Sequence, residues 1–341
     1  MTTLPSTIRV VDVPQPGGPE ALVVRERPLP ALPPAHVLIR VAAAGLNRAD
    51  ILQRRGKYPP PPGAPDYPGL EVSGIVVATS GDVSEFRTGD EVCALLQGGG
   101  YAEYCAAPAG QTLRVPRGVK LVDAAALPEA FFTVWSNIWD LGRLAAEDTL
   151  LVHGGSSGIG VATIQLAHAL GHRVATTAGT DEKCRFCAAL GAEPVINYRR
   201  EDFVAVARDA TGGRGVDVIL DMVAGDYVER NVEALAPGGR LVVIATQGGV
   251  RATVDMRAVM KKRLTLTGSL LRPQPVEFKQ AIKEQLLRRV WPLIESGAVR
   301  PLIDRIFPFE QAAAAHAWME SGAHMGKILL EVGAGPVGAG A

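Results

Sequence analysis

Through residue 125 the apolar residues come in short runs, such as Val37-Leu-Ile-Arg-Val41 and Leu70-Glu-Val-Ser-Gly-Ile-Val-Val77, broken at short intervals by glycine and proline. Runs of that length between turn residues predict strands, and hence a β-rich domain. Pro59-Pro-Pro-Pro-Gly63 predicts a stiff, extended loop, because proline fixes φ and offers no N–H. From Leu127 the pattern changes. Near-continuous apolar runs at Leu150–His153, Val174–Thr177, Val195–Asn197, Val218–Asp221, Leu241–Ala245 and Leu264–Thr267 alternate with amphipathic stretches. Strands apolar on both faces and separated by helices predict a parallel sheet covered on both sides, and right-handed crossovers stack such units into a doubly wound α/β sheet. Gly212-Gly213 and Gly238-Gly239 are expected to end helices just ahead of strands.

A long amphipathic pattern follows from Phe278 to Ile294, then Leu302–Phe307, a helical Gln311–Met319 and a last strand Ile328–Val332. Two strands and a helix cannot bury themselves alone, so this segment is expected to return to the N-terminal β-rich domain. The sheet domain (126–275) is then an insertion in a domain built from 1–125 plus 276–341, and Gly333–Ala341 is expected to be a disordered tail. A length of 341 residues accommodates two such cores.

Lys plus Arg equal Asp plus Glu at 35 each, so no global field favours nucleic acid or an anionic membrane as a partner. No apolar run reaches the length of a membrane span, and the N-terminus lacks a basic region followed by an apolar core. The chain therefore reads as cytoplasmic. Four cysteines in so long a chain do not make a disulfide framework. Cys184 and Cys187 have Cys-x-x-Cys spacing, but they fall in a helical stretch with no second ligand pair and read as ordinary helix residues.

The densest chemistry lies at Thr149-Leu-Leu-Val-His-Gly-Gly-Ser-Ser-Gly-Ile-Gly-Val161. A buried strand meets a glycine-rich turn that opens into a helix, which is the sequence form of a dinucleotide-binding turn. Gly155, Gly158 and Gly160 let the backbone approach a pyrophosphate, and Ser156, Ser157, Gly158 and Ile159 offer amides and hydroxyls to it. His153 follows the apolar strand and reads as packed. The next strand ends in Thr177-Ala-Gly179-Thr, with no acid before Asp181 to accept from ribose hydroxyls. Small neutral residues there leave room for a 2′-phosphate, with Lys183, Tyr198, Arg199 and Arg200 near enough in sequence to complement it. This favours NADPH over NADH, the alternative being that the basic residues form a solvated face.

The order of parts, with Leu46-Asn-Arg-Ala-Asp50, Gly56-Lys-Tyr58, Gly69-Leu-Glu71, Pro128-Glu-Ala130 and the glycine turn, resembles the medium-chain dehydrogenase/reductase superfamily over nearly the whole chain. Within it the phrases are similar to the zinc-free quinone oxidoreductases, in the zeta-crystallin-like branch typified by the p53-inducible quinone oxidoreductase. The resemblance implies a Rossmann sheet inserted into a GroES-like catalytic domain, and hydride transfer from NADPH to a quinone. Reduction of enals or enones is one alternative, and a low-turnover NADPH-binding regulatory or structural protein is another. In the zinc-dependent relatives a Cys stands at the place of Asn47 and a His at that of Leu70, so no metal is expected here.

The resemblance also places Asn47 and Asp50 near nicotinamide and substrate, although Asn47 also suits a helix N-cap. It places Tyr58 over the nicotinamide pocket; the plainer reading is a loop aromatic packed on the surface. Thr133 faces the cofactor in relatives, yet it also suits a hydroxyl bonded back to its own helix. Ala245, Thr246 and Gln247 follow the fifth strand and Ser269, Leu270 and Leu271 the sixth, at the carboxyl edge where ligands bind. Lys327 is expected to return from the C-terminal segment. Relatives pair their sixth strands across a two-fold axis, which implies a homodimer through Leu264–Leu271.

Overall fold

The computed structural model describes residues 4–333, so the expected tail beyond Gly333 lies outside the described residues. The chain divides into two units: one from the described residues of Met1–Glu129, Arg272–Glu295 and Pro301–Ala341, the other from Ala130–Leu271 and Ser296–Arg300.

The first unit is built on the strand His36–Gly45, whose Val37, Ile39 and Val41 face a core shared with Val72, Val76, Val92, Ile328 and Leu330. The sheet runs Ile303–Pro308, Lys327–Glu331, His36–Gly45, Glu71–Thr79, Glu91–Leu95, Thr112–Arg114, and Tyr104–Pro108 also pairs with His36–Gly45. Thr7–Asp12 and Val23–Pro28 form a separate antiparallel pair. The C-terminal segment does return to this unit: Leu329 stands opposite Gly45 in antiparallel register. The helix Arg48–Arg54 starts three residues beyond that strand, which puts Asn47 at the end of the central strand and the start of a helix together.

The second unit is a six-stranded sheet in the order Val195–Asn197, Arg173–Ala178, Thr149–Val152, Val216–Asp221, Leu235–Val243, Thr265–Gly268, parallel throughout. Thr149–Val152 and Val216–Asp221 are buried along their whole length, as strands covered on both faces must be. The strand order reverses at Thr149–Val152, the switch point where such sheets bind ligands.

Several boundaries differ from the sequence expectation; residues 126–129 and 272–275, expected with the sheet domain, belong to the β-rich unit. The fifth strand starts at Leu235, and Gly238 (φ +76°) and Gly239 lie inside it; pairing slips between Val216 opposite Leu235 and Val218 opposite Arg240. The glycines accommodate an irregularity in the strand instead of ending a helix. Ser296–Arg300, expected with the β-rich domain, belongs to the sheet unit: the Gln165 amide donates to the Arg300 carbonyl (3.1 Å) and accepts from its N–H (3.2 Å). Among the described residues no helix is long and apolar enough to cross a membrane.

Candidate active site

In the sheet unit the glycine turn leaves amides open. Gly155 donates to the Thr177 carbonyl (2.9 Å) and Ser157 to that of Gly154 (3.0 Å), while the Ser157 hydroxyl caps the helix Gly158–Ala169 by accepting from Gly160 (3.0 Å). Among the described residues the N–H groups of Ser156, Gly158 and Ile159 find no acceptor. Open amides at a helix start, with its dipole, form a site for phosphate oxygens. A Cβ on Gly160 would lie 2.4 Å from the Gly154 carbonyl oxygen, and one on Gly155 would lie 2.2 Å from Thr176 Oγ1, so both glycines are required by close approach.

Below the turn, His153 is fully buried, edge-on to Phe203 (4.8 Å) and Tyr227 (5.0 Å), and bonded to Asn231 Oδ1 (2.7 Å). Burial lowers its pKa, so it is a neutral packed residue, as its place after the apolar strand suggests. Thr177 does not fit its expected part in cofactor binding: it is 1% exposed, and its hydroxyl lies against His153 Nδ1 (3.1 Å) and Gly154 N (3.3 Å), which ties it to the underside of the turn.

Gly179, Lys183 and Tyr198 come together at the end of the second strand. The Tyr198 hydroxyl lies 2.7 Å from where a Gly179 Cβ would stand, and Lys183 sits in the first turn of the helix Asp181–Ala189, capped by Thr180. Asp181, the first acid after the strand, accepts from Asn197 Nδ2 (2.6 Å) and pairs with Arg200 (2.7 Å). Arg200 is thereby committed to Asp181. Cys184 and Cys187 lie on this helix as free cysteines.

Two further segments reach the same carboxyl edge. Gln247 N–H donates to the Met222 carbonyl (3.3 Å), and Met222 stands against Gly154, which brings Ala245–Gln247 beside the turn. Ser269 N–H donates to the Val243 carbonyl (3.1 Å), and its hydroxyl donates to Asn137 Oδ1 (2.6 Å). Asn137 lies in a π-helical stretch, Ser136–Leu141, that extends the helix Pro128–Trp135, and its Nδ2 donates to the Thr133 carbonyl (2.8 Å). Thr133 and Ser269 are thus linked through one buried asparagine. The Thr133 hydroxyl makes no hydrogen bond among the described residues, so the expected bond back to its own helix is not formed. Leu271 is buried, whereas Leu270 is exposed.

In the β-rich unit, the buried ion pair of Glu71 and Lys327 holds the half-buried Asn47 in one cluster. Lys327 Nζ donates to the Leu46 carbonyl (2.9 Å), Asn47 Oδ1 (2.7 Å) and Glu71 Oε1 (2.5 Å), which uses all three of its protons. Asn47 Nδ2 donates to the same Glu71 oxygen (2.8 Å), and Glu71 Oε2 accepts from the Glu129 N–H (2.8 Å). The charges on Lys327 and Glu71, at 5% and 0% exposure, offset one another's desolvation. Lys327 therefore fixes Asn47 and has no hand left for a ligand.

Asp50 corrects a further expectation. It is fully buried; Oδ2 accepts from Asn47 N–H (2.8 Å) and the Tyr101 hydroxyl (3.3 Å), and Oδ1 from Gly69 N–H (3.0 Å). Burial pushes its carboxyl up to about 6 against the pull of those bonds. With both oxygens engaged, it positions Asn47 and Gly69 instead of meeting substrate. Tyr101 Oη also meets His316 Nε2 (3.1 Å), and His316 Nδ1 meets Arg54 Nη1 (3.4 Å). Arginine only donates, so Nδ1 accepts and Nε2–H donates to the tyrosine, whose own proton goes to Asp50. Burial first, then Arg54, lowers His316 to about 3 and keeps it neutral.

Tyr58 is half-buried on its proline loop. The Arg272 guanidinium lies over its ring (5.3 Å to the centroid) and donates to its carbonyl (3.4 Å), while also donating to the Gln97 carbonyl (2.8 Å) and Gln53 Oε1 (2.7 Å). Lys279, fully buried on the helix Val276–Arg289, donates to the Arg272 carbonyl (2.9 Å), and burial lowers its ammonium to about 8. Glu71, Glu129, Arg272 and Lys279 were not expected as site residues. The first two lie inside the quoted phrases Gly69-Leu-Glu71 and Pro128-Glu-Ala130, whereas no local pattern marks the other two. Among the described residues, no group of three or more His, Cys, Asp or Glu is placed to hold a metal ion.

Residues 33–117 match the family described as alcohol dehydrogenase GroES-like domain, and residues 190–330 the one described as zinc-binding dehydrogenase. With the inserted parallel sheet, these matches place the chain in the medium-chain dehydrogenase/reductase superfamily, and it is an oxidoreductase. At closer range it is similar to the quinone oxidoreductase of Rattus norvegicus, 33% identical over 334 residues, covering 97% of this chain and 99% of that protein. Its fold is similar to that of Escherichia coli quinone oxidoreductase complexed with NADPH (TM-score 0.82, 29% identity, 95% of this chain and 99% of that one). It is also similar to that of CurK enoyl reductase (TM-score 0.83, 25% identity, 96% and 99%).

Proposed function

We propose that this chain is an NADPH-dependent quinone reductase that works without zinc, as a homodimer. The observation that carries the reading is the Asn47–Lys327–Glu71 cluster. A catalytic zinc needs three ligands and an open position, but at the two positions where zinc-dependent relatives hold Cys and His this chain has Asn47, engaged at both ends, and Leu70, which has no donor. A quinone is already electrophilic, and delocalisation stabilises its reduced oxygens, so its reduction depends on positioning more than on a Lewis acid. The rat and Escherichia coli quinone oxidoreductases support that substrate class, and the latter's complex supports the cofactor.

NADPH, when bound, supplies the hydride; the remaining work falls to side chains and amides of this chain. The open amides of Ser156, Gly158 and Ile159 hold the pyrophosphate, with Gly155 giving the backbone its close approach. Lys183 and Tyr198 bind the 2′-phosphate beside Gly179. Thr133, Ala245, Thr246, Gln247, Ser269, Leu270 and Leu271 line the nicotinamide end of that edge. Asn47, held by Lys327, and Tyr58, held by Arg272, orient the acceptor.

For the dimer, the edge strand Thr265–Gly268 has one paired neighbour, and Leu266, Leu270, Met256 and Met260 are exposed around it. Reduction of enals or enones is the second reading, favoured by the likeness to an enoyl reductase. Steady-state oxidation of NADPH and NADH against para-quinones, ortho-quinones and short alkenals, with and without chelator, tests all of this. Chelator-insensitive quinone turnover that prefers NADPH is the expected result. Loss of turnover on chelation, or exclusive use of alkenals, counts against it.

A further inference from the structure

We infer that Glu129 is the acid that protonates the reduced acceptor; the inference rests on the acceptor-reduction reading above. In the β-rich unit the polar groups around the Asn47 end of the sheet are almost all committed. Asp50 has donors on both oxygens, Glu71 takes Lys327 and Asn47 on one oxygen and the Glu129 N–H on the other, and Lys327 has used its three protons. Arg272 is spread over Gln53, Tyr58 and Gln97, and Lys279 donates to Arg272. Among the charged groups the Glu129 carboxyl is the exception. It makes no hydrogen bond among the described residues, although its backbone is pinned by Glu71 at 2.8 Å, and the residue is partly exposed. A carboxyl with a fixed base, an open valence and a route to solvent can take up and release a proton between turnovers.

Its surroundings suit an acid. Burial, then the Glu71 carboxylate and more weakly Asp50, push Glu129 up to about 8, while Lys327 and Lys279 pull the other way. Arg272 and Tyr58 complete the charged and titratable groups facing it. A carboxylic acid poised near neutrality is matched to proton delivery. Tyr58 is the competing donor, but burial pushes its phenol above the ordinary value and makes it the weaker acid.

The proton balance is simple. Hydride carries two electrons and one hydrogen to the acceptor, leaving an oxyanion; the Glu129 O–H bond breaks and a new O–H forms on that oxygen. The carboxylate left behind is stabilised by Lys279 and Lys327 and is reprotonated from solvent.

The test compares the unsubstituted enzyme, Glu129→Gln, Glu129→Asp and Tyr58→Phe. Quinone-dependent NADPH oxidation is followed from pH 6 to 9.5 in H2O and D2O, with NADPH affinity measured by fluorescence titration. An acid works while protonated, so kcat should hold at low pH and fall as pH rises through about 8. Glu129→Gln should lower kcat by at least about tenfold, abolish the alkaline limb and the solvent isotope effect, and leave NADPH affinity unchanged; Glu129→Asp should restore part of the rate together with the limb. An active enzyme whose Gln variant keeps both rate and limb overturns the inference, as does an alkaline limb that disappears in Tyr58→Phe instead. An unsubstituted enzyme that binds NADPH but reduces no quinone or alkenal overturns the functional reading itself, which is a separate result.

Discussion

In the sheet unit the proposed cofactor surface is backbone: Ser156, Gly158 and Ile159 present amides, and what matters at Gly155 and Gly160 is the absence of a Cβ. In the β-rich unit the proposed acceptor site rests instead on side chains, with Asn47 and Glu129 held by the buried Glu71 and Lys327 from separate segments at one sheet end. A backbone site is written in a dozen consecutive residues and fails by steric intrusion. A side-chain cluster is scattered along the chain and fails when one charge loses its partner.

The sharpest way to break that contrast is Lys327→Met. Removing the ammonium leaves the fully buried Glu71 with no cation, only the Asn47 amide and the Glu129 N–H as donors. Loss of one partner from a buried pair should cost about 3–5 kcal/mol, read as a lowered urea midpoint. A variant within 1 kcal/mol of the parent would mean that water reaches Glu71 and that the cluster is not a buried one. Gly160→Ala tests the other unit. Its Cβ would meet the Gly154 carbonyl oxygen at 2.4 Å, so the helix start must shift and the open amides lose their aim. NADPH affinity should fall by about 100-fold, whereas calorimetry showing unchanged affinity would remove the turn from the cofactor site.

That contrast explains what was legible in the sequence. The six strands of the parallel sheet and the glycine turn were readable because apolar runs and glycine spacing are local. Thr177 was misjudged because nothing local says that its hydroxyl turns under Gly154. Asp50 was misjudged for a related reason: an acid at the third position of a helix both caps and suggests catalysis, and only its burial and its bond from Tyr101 decide between them. Glu71 and Glu129 lay within recognised phrases but carried no role. Arg272 and Lys279 had no signal at all, since their meaning comes from Tyr58 and Glu129, more than 140 residues away in the chain.

A smaller effect separates the charged cluster from its support. His316 titrates near 3 in the folded protein, held neutral by burial beside Arg54, and near 6.5 when unfolded. Its folded value is depressed, so the stability it confers is present above pH 6.5 and is lost as pH falls toward 3. By pH 5 the loss amounts to about 2 kcal/mol. His316→Gln keeps a donor and an acceptor but no titration, so the stability gap between parent and variant should narrow by that amount between pH 7.5 and 5. Parallel acid limbs in urea titrations of the two would show that His316 is solvated.

The smallest expected effect concerns cofactor choice and again sets backbone against side chain. At the end of the second strand Gly179 lets the Tyr198 hydroxyl pack close, in the volume that a Cβ there would need. Asp181 is bonded to Asn197 and Arg200, so no carboxylate is left to favour a free ribose hydroxyl. No acid is therefore left to repel a 2′-phosphate, and a preference for NADPH would come from attraction, with Lys183 in the first helical turn as its proposed source. One partly exposed ammonium acting on a phosphate contributes about 1 kcal/mol. Lys183→Ala should thus reduce the NADPH-to-NADH ratio of kcat/KM by about fivefold, through KM for NADPH alone, with more effect at low salt than at high. An unchanged ratio would shift the preference from the lysine to the Tyr198 hydroxyl that Gly179 admits, a close approach that only the missing Cβ allows.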